Sequence, residues 1–73
     1  MMIEVRSVIT IHNNQLMIEK YRSVIHVTSD KIELDLKEKR LMIQGSQLQI
    51  LALSKDEVLI EGKIEGLLFQ NEK

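Results

Sequence analysis

The side chains able to act on a substrate are eleven acids, two histidines and five serines. Asp56 and Glu57 are adjacent, and Glu61 and Glu65 are four apart. Paired carboxyls support acid–base work when a cleft splits their pKa values. These fall at a turn or on the polar positions of alternating stretches, so a solvated face is the expectation. His12 stands beside Asn13, and His26 stands between Ile25 and Val27. Neither has a Ser, Asp or Cys at motif spacing, although triads assemble in space rather than in sequence. Ser7, Ser23, Ser29, Ser46 and Ser54 form no Gly-x-Ser-x-Gly elbow. No phosphate-binding loop or dinucleotide fingerprint is present. The absence of cysteine removes disulfides and thiolate sites, and two histidines alone are too few for a structural zinc. The residues therefore predict no catalytic, cofactor-binding or metal site, no small-molecule substrate and no enzymatic activity.

Charge narrows the partners. Ten basic and eleven acidic residues are interleaved, for a net charge of −1, so nothing draws the chain generally to phosphate backbones or anionic membranes. Single-strand binders stack bases on exposed aromatics, and this chain has only Tyr21 and Phe69. Nucleic acid enters as the alternative because Val58-Leu-Ile-Glu-Gly62-Lys-Ile64 is similar to the second signature of Sm-like RNA-binding barrels. It lacks their N-terminal helix pattern and carries Glu61 where a basic residue would help. A small Sm-like or OB-like barrel binding nucleic acid is the competing expectation.

Positioning any site falls to short strands. Lys31–Lys37 alternates strictly, with Ile32, Leu34 and Leu36 on one face and Lys31, Glu33, Asp35 and Lys37 on the other. A helix would scatter those apolar residues around its cylinder. One buried and one solvated face point to an antiparallel sheet. Val5–Ile11, Leu16–Glu19, Val24–Thr28, Arg40–Gln44, Gln47–Leu53 and Glu57–Ile64 read as further strands. The turns fall at His12–Gln15, Ser29-Asp30, Glu38-Lys39, Gly45-Ser46 and Ser54–Asp56, with Asn suited to positive φ. Gly62 suits a bend or the close approach of another backbone. Leu67–Phe69 is the last apolar patch, and residues 70–73 read as a polar tail. The expectation is a single all-β domain over residues 1–73, a small antiparallel sandwich or roll of about seven short strands.

At 73 residues one core is only marginally sufficient. With disulfides excluded, self-association is the most economical supplement, so a homo-oligomer is expected. The run Ile50–Leu53 is apolar at every position, which suggests either a central position or cover by another subunit. Leu51, Leu53, Leu59, Leu67, Leu68 and Phe69 form the candidate interaction patch. Met17 and Met42 are expected on the outward face, able to extend it or to fill a second internal face. The start lacks a basic region followed by a long apolar run, and no run of about 18 apolar residues occurs anywhere. A soluble, cytoplasmic chain is expected.

From Ile9 to Phe69 the chain resembles the YabP/YqfC family of sporulation proteins of endospore-forming bacteria. The resemblance is carried by Ile9-Thr-Ile11, Leu16-Met-Ile-Glu19, Leu41-Met-Ile-Gln-Gly45, Leu48-Gln-Ile50 and Glu57-Val-Leu-Ile-Glu-Gly62-Lys-Ile64. Leu16–Glu19 and Ile60–Ile64 look closer to the YqfC branch. Lys20 stands where the family usually has Asn, and Ser23 where it often has Gly. The resemblance implies a mother-cell sporulation factor without enzymatic activity. Such a factor would act by association, with a membrane-embedded sporulation protein as one partner. It supplies no catalytic or ligand residues.

Overall fold

The structure, a computed structural model, describes residues 8–37 and 39–71. Among these residues six strands are present: β1 (Val8–His12), β2 (Gln15–Glu19), β3 (Ser23–Val27), β4 (Lys31–Asp35), β5 (Lys39–Leu53) and β6 (Glu57–Asn71). They form one antiparallel sheet in the order β1-β2-β6-β5-β4-β3. The all-β antiparallel expectation is met, with six strands among the described residues where about seven were expected. Gly45-Ser46 does not end a strand, because β5 runs through it. β6 likewise runs through Gly66 and takes in the Leu67–Phe69 patch with Gln70 and Asn71, which were expected in the tail. Val5–Ser7 of the first expected strand, Glu38 of a turn, and Glu72 and Lys73 lie outside the described residues.

The alternation dictates the register. Ile18 faces Val58 and Leu16 faces Ile60 across β2 and β6; Ile32 faces Ile43 and Leu34 faces Leu41 across β4 and β5. All eight of these side chains are fully buried, and with Leu48 they make one core cluster. Asn13, first of the two residues linking β1 to β2, has φ 56°, the backbone region Asn tolerates. That sets Ile11 opposite Leu16. Lys20 has φ 66°, so the position where the resembling family favours Asn is a left-handed one.

A single flat sheet cannot bury side chains so completely, and the connectivity shows how this sheet covers itself. Glu19 ends β2 opposite Glu57, beside the β5–β6 turn. Ser23 starts β3 opposite Asp35, itself opposite Arg40 near the start of β5. Four residue steps separate Glu19 from Ser23 and reach at most about 14 Å. A straight 15-residue strand would hold the two ends of β5 about 45–50 Å apart. The long hairpin must therefore fold back, stacking the layer of β2 and the first half of β6 on the layer of β4 and the first half of β5. Tyr21 pins the short link, its hydroxyl donating to the Ser54 carbonyl at 2.6 Å, while Lys20 N–H donates to Asp56 O at 2.6 Å.

The fold line crosses both long strands at their glycines. The β5–β6 pairing shifts register between Gln44 and Gly45, where Glu65 of β6 is the extra residue, between Ser46 and Gln49, and between Ile50 and Ala52. Such bulges bend a strand and increase its twist. Gly62 adopts φ 145°, and a Cβ there would lie 2.6 Å from Gln47 O and 2.8 Å from Leu48 Cα. A Cβ on Gly45 would overlap the Lys63 carbonyl oxygen. Two backbones cross at the bend with no room for side chains between them.

Candidate interaction site

The two long strands of the central hairpin are flanked over only half their lengths. β6 pairs with β2 through Glu57–Glu61, and β5 pairs with β4 through Arg40–Gln44. Turn bonds extend these contacts slightly: Gly62 N–H donates to Asn14 O, Gly45 N–H to Asp30 O and Leu48 N–H to Ser29 O. Beyond them, Gln49–Leu53 of β5 and Gly66–Asn71 of β6 have a strand on one side only among the described residues. Among the described residues the sheet thus has four edges: β1, β3, the second half of β5 and the second half of β6. An unpaired edge presents a row of N–H and C=O groups that another strand can use.

Five of the six residues of the predicted patch divide between the two hairpin edges, and Leu59 lies between β2 and β5. Leu51, at the β5 register shift, and Leu53, opposite Val58, are 44% and 58% exposed. Leu59 is half-buried on the outer face, between Met17 on β2 and Ala52 on β5. With Met17 and Ala52, Leu53 and Leu59 line a shallow apolar hollow of about 160 Å³ near the hairpin turn. Leu67, Leu68 and Phe69 lie at the other end of the hairpin. Leu67 is half-buried opposite Ile43 on the core face, and Phe69 is opposite Leu41 on that same face, with Lys39 Nζ 5.8 Å from its ring centre. Leu68 is opposite Met42 on the outer face. The six residues are therefore two separate patches. Met17 and Met42 face outward as expected and are half-buried, one in each patch. Ile50–Leu53 is not central; apart from half-buried Ile50, it is exposed.

The chemically capable residues are dispersed. His12 is on β1 and His26 on β3, the two outermost strands, and both are exposed. Ser54 Oγ accepts from Glu57 N–H at 3.2 Å, a turn bond that holds the hairpin tip. An open concavity of about 830 Å³ lies at the fold line among Asn14, Gln47, Gln49, Glu61 and Lys63. It brings together side-chain amides, one acid and one amine, with neither histidine nor serine. No group of three acids or histidines close enough to hold a metal occurs among the described residues. No helix among them is long and apolar enough to cross a membrane.

Sequence reasoning found the exposed Leu51, Leu53, Leu68 and Phe69 but missed the exposed Ile11 on β1 and Ile25 and Val27 on β3, and it missed the half-length flanking of β5 and β6. One signal was available. Every edge segment (Val8–His12, Ser23–Val27, Gln49–Leu53 and Gly66–Asn71) lacks Asp, Glu, Lys and Arg.

A family model described as the YabP family matches residues 4–73. Neither the curated proteins nor the solved structures contain a significant match to the chain.

Proposed function

We propose, from the premise that this chain belongs to the YabP family, that it is a non-enzymatic sporulation factor working as a small protein-interaction domain. Family membership suggests a sporulation-associated protein. The runs Leu16–Glu19 and Ile60–Ile64 favour the YqfC branch within that broader relationship. The observation that carries the interaction reading is the pair of uncharged hairpin edges bearing Leu51, Leu53, Leu67, Leu68 and Phe69. Backbone pairing along such an edge supplies affinity, and the flanking side chains supply specificity. In this reading the domain self-associates through one edge and docks to a membrane sporulation protein through the other, in the mother-cell cytoplasm. The test is deletion of the gene followed by counts of heat-resistant spores. A fall of several orders of magnitude supports the sporulation role; unchanged counts overturn it.

A further inference from the structure

The four edges of this sheet are not equivalent. Natural sheets blunt their edges with charges, prolines or bulges, and this chain has no proline. On β3 a register shift falls between Val24 and His26, and on the second half of β5 another falls between Ile50 and Ala52. Both bulges twist those edges away from a flat approach. β1 is regular, but Thr10 and His12 alternate with its isoleucines. Among the described residues, the second half of β6 has none of these devices past the shift that leaves Glu65 unpaired. From Gly66 to Asn71 it pairs with β5 in six consecutive steps without a shift. It is uncharged throughout, and it exposes Leu68 on one face and Phe69 on the other, each 48%.

We infer that this edge of β6 pairs antiparallel with the same edge of a second copy of the chain, about a two-fold axis at Leu68. The inference rests on the self-association in the reading above and names its surface. The segment suits a copy of itself for three reasons. An antiparallel pair of identical strands is closed by a two-fold axis, and antiparallel pairing is what every neighbour in this sheet already uses. With no charged residue between Gly66 and Asn71, no like charges meet when the strand faces itself. Centring on Leu68 sets Leu67 opposite the second copy's Phe69, Phe69 opposite its Leu67, and Leu68 opposite Leu68. Leu67 and Phe69 already lie on the core face opposite Ile43 and Leu41, so each core continues into the next. The layer β3-β4-β5-β6 becomes a continuous eight-stranded sheet across the axis.

The test is sedimentation equilibrium of the full chain at about 1 mM, where an interface at the small end of the usual range is still occupied. Wild type is expected near twice the 8.5 kDa chain mass. Leu68→Lys, which puts two like charges on the axis, is expected at the monomer mass with an unchanged β-sheet circular dichroism spectrum. Leu53→Lys on the other hairpin edge is expected to remain dimeric. A second arm does not depend on how Leu68→Lys folds. In a chain without cysteine, Leu68→Cys should oxidise to a linked dimer at least tenfold faster than Leu53→Cys. Associated protein in which Leu68→Lys changes nothing, or in which the two cysteine variants link at equal rates, overturns the β6 axis and leaves self-association standing. A monomer at every concentration overturns both, and the spore counts still decide the sporulation role separately.

Discussion

Gly62 and Gln47 touch backbone to backbone where the long hairpin folds over itself: a Cβ at position 62 would sit 2.6 Å from the Gln47 carbonyl oxygen. That contact is what lets one sheet supply both layers of its own core. The obstacle is main chain, not a flexible side-chain end, so it cannot move aside cheaply. Gly62 also holds φ 145°, a conformation closed to other residues without strain. Gly62→Ala is expected to cost about 2–4 kcal/mol, a large share of the roughly 4–11 kcal/mol typical of a domain this size. Urea unfolding followed by circular dichroism measures it. A midpoint within error of wild type would mean the fold line does not depend on this crossing.

Gln47 itself holds φ 55° with an exposed side chain. A side chain in the left-handed region costs about 1–2 kcal/mol, partly offset on replacement by glycine's greater freedom in the unfolded chain. Gln47→Gly is therefore expected to raise stability by about 0.5–1 kcal/mol. A higher melting temperature is the expected readout, and a lower one would contradict the backbone argument.

The core and the edges should respond oppositely to truncation. Ile43 and Ile60 are fully buried in facing layers, so either substitution to Ala should cost about 2–5 kcal/mol. Leu53, 58% exposed, should tolerate Ala within about 0.5 kcal/mol at concentrations where the chain is monomeric. Comparable losses at Leu53 and Ile60 would mean that the edge is already covered in the free chain.

Tyr21 ties the β2–β3 link to the hairpin tip through the Ser54 carbonyl. Tyr21→Phe removes that bond and little packing. Because the bond lies near solvent, a loss of about 0.5–1 kcal/mol is expected. Hydrogen exchange should also speed up at the neighbouring Lys20 amide, which donates to Asp56. Unchanged exchange there would detach Tyr21 from the closure of the fold.

If the hairpin edges carry the biological role, charges placed on them should lower spore counts without unfolding the protein. Leu51→Lys with Leu53→Lys tests one edge, and Leu68→Lys tests the other. Each is expected to reduce heat-resistant spores at least tenfold while a melting curve shows a folded protein. Wild-type counts from both variants would remove the edges from the function.

Much of the strand pattern was legible because it is local. Ile32 and Leu34 repeat at period two, and no other secondary structure puts both on one face. Their neighbours Lys31, Glu33 and Asp35 accordingly stand outside the core. Asn13 was legible for the same reason, since its φ depends on its own side chain. Gly45-Ser46 was not. A glycine and a serine end one strand and kink another with the same local chemistry, and the choice rests on whether the partner strand continues alongside. Here Ile64 and Lys63 continue opposite them, 19 and 17 residues away in sequence.

The same division holds for the site. Composition and alternation determined by themselves that the protein is an antiparallel β-domain, and they put Leu51, Leu53, Leu67, Leu68 and Phe69 forward as a candidate patch. Those are properties of each residue and its neighbours along the chain. Only the tertiary structure decided that these residues lie on two edges rather than in one patch. β2 covers one half of β6, β4 covers the opposite half of β5, and the glycine crossing folds the hairpin between them. Edges arise from the lengths over which distant strands pair, and that information belongs to no single stretch of the chain.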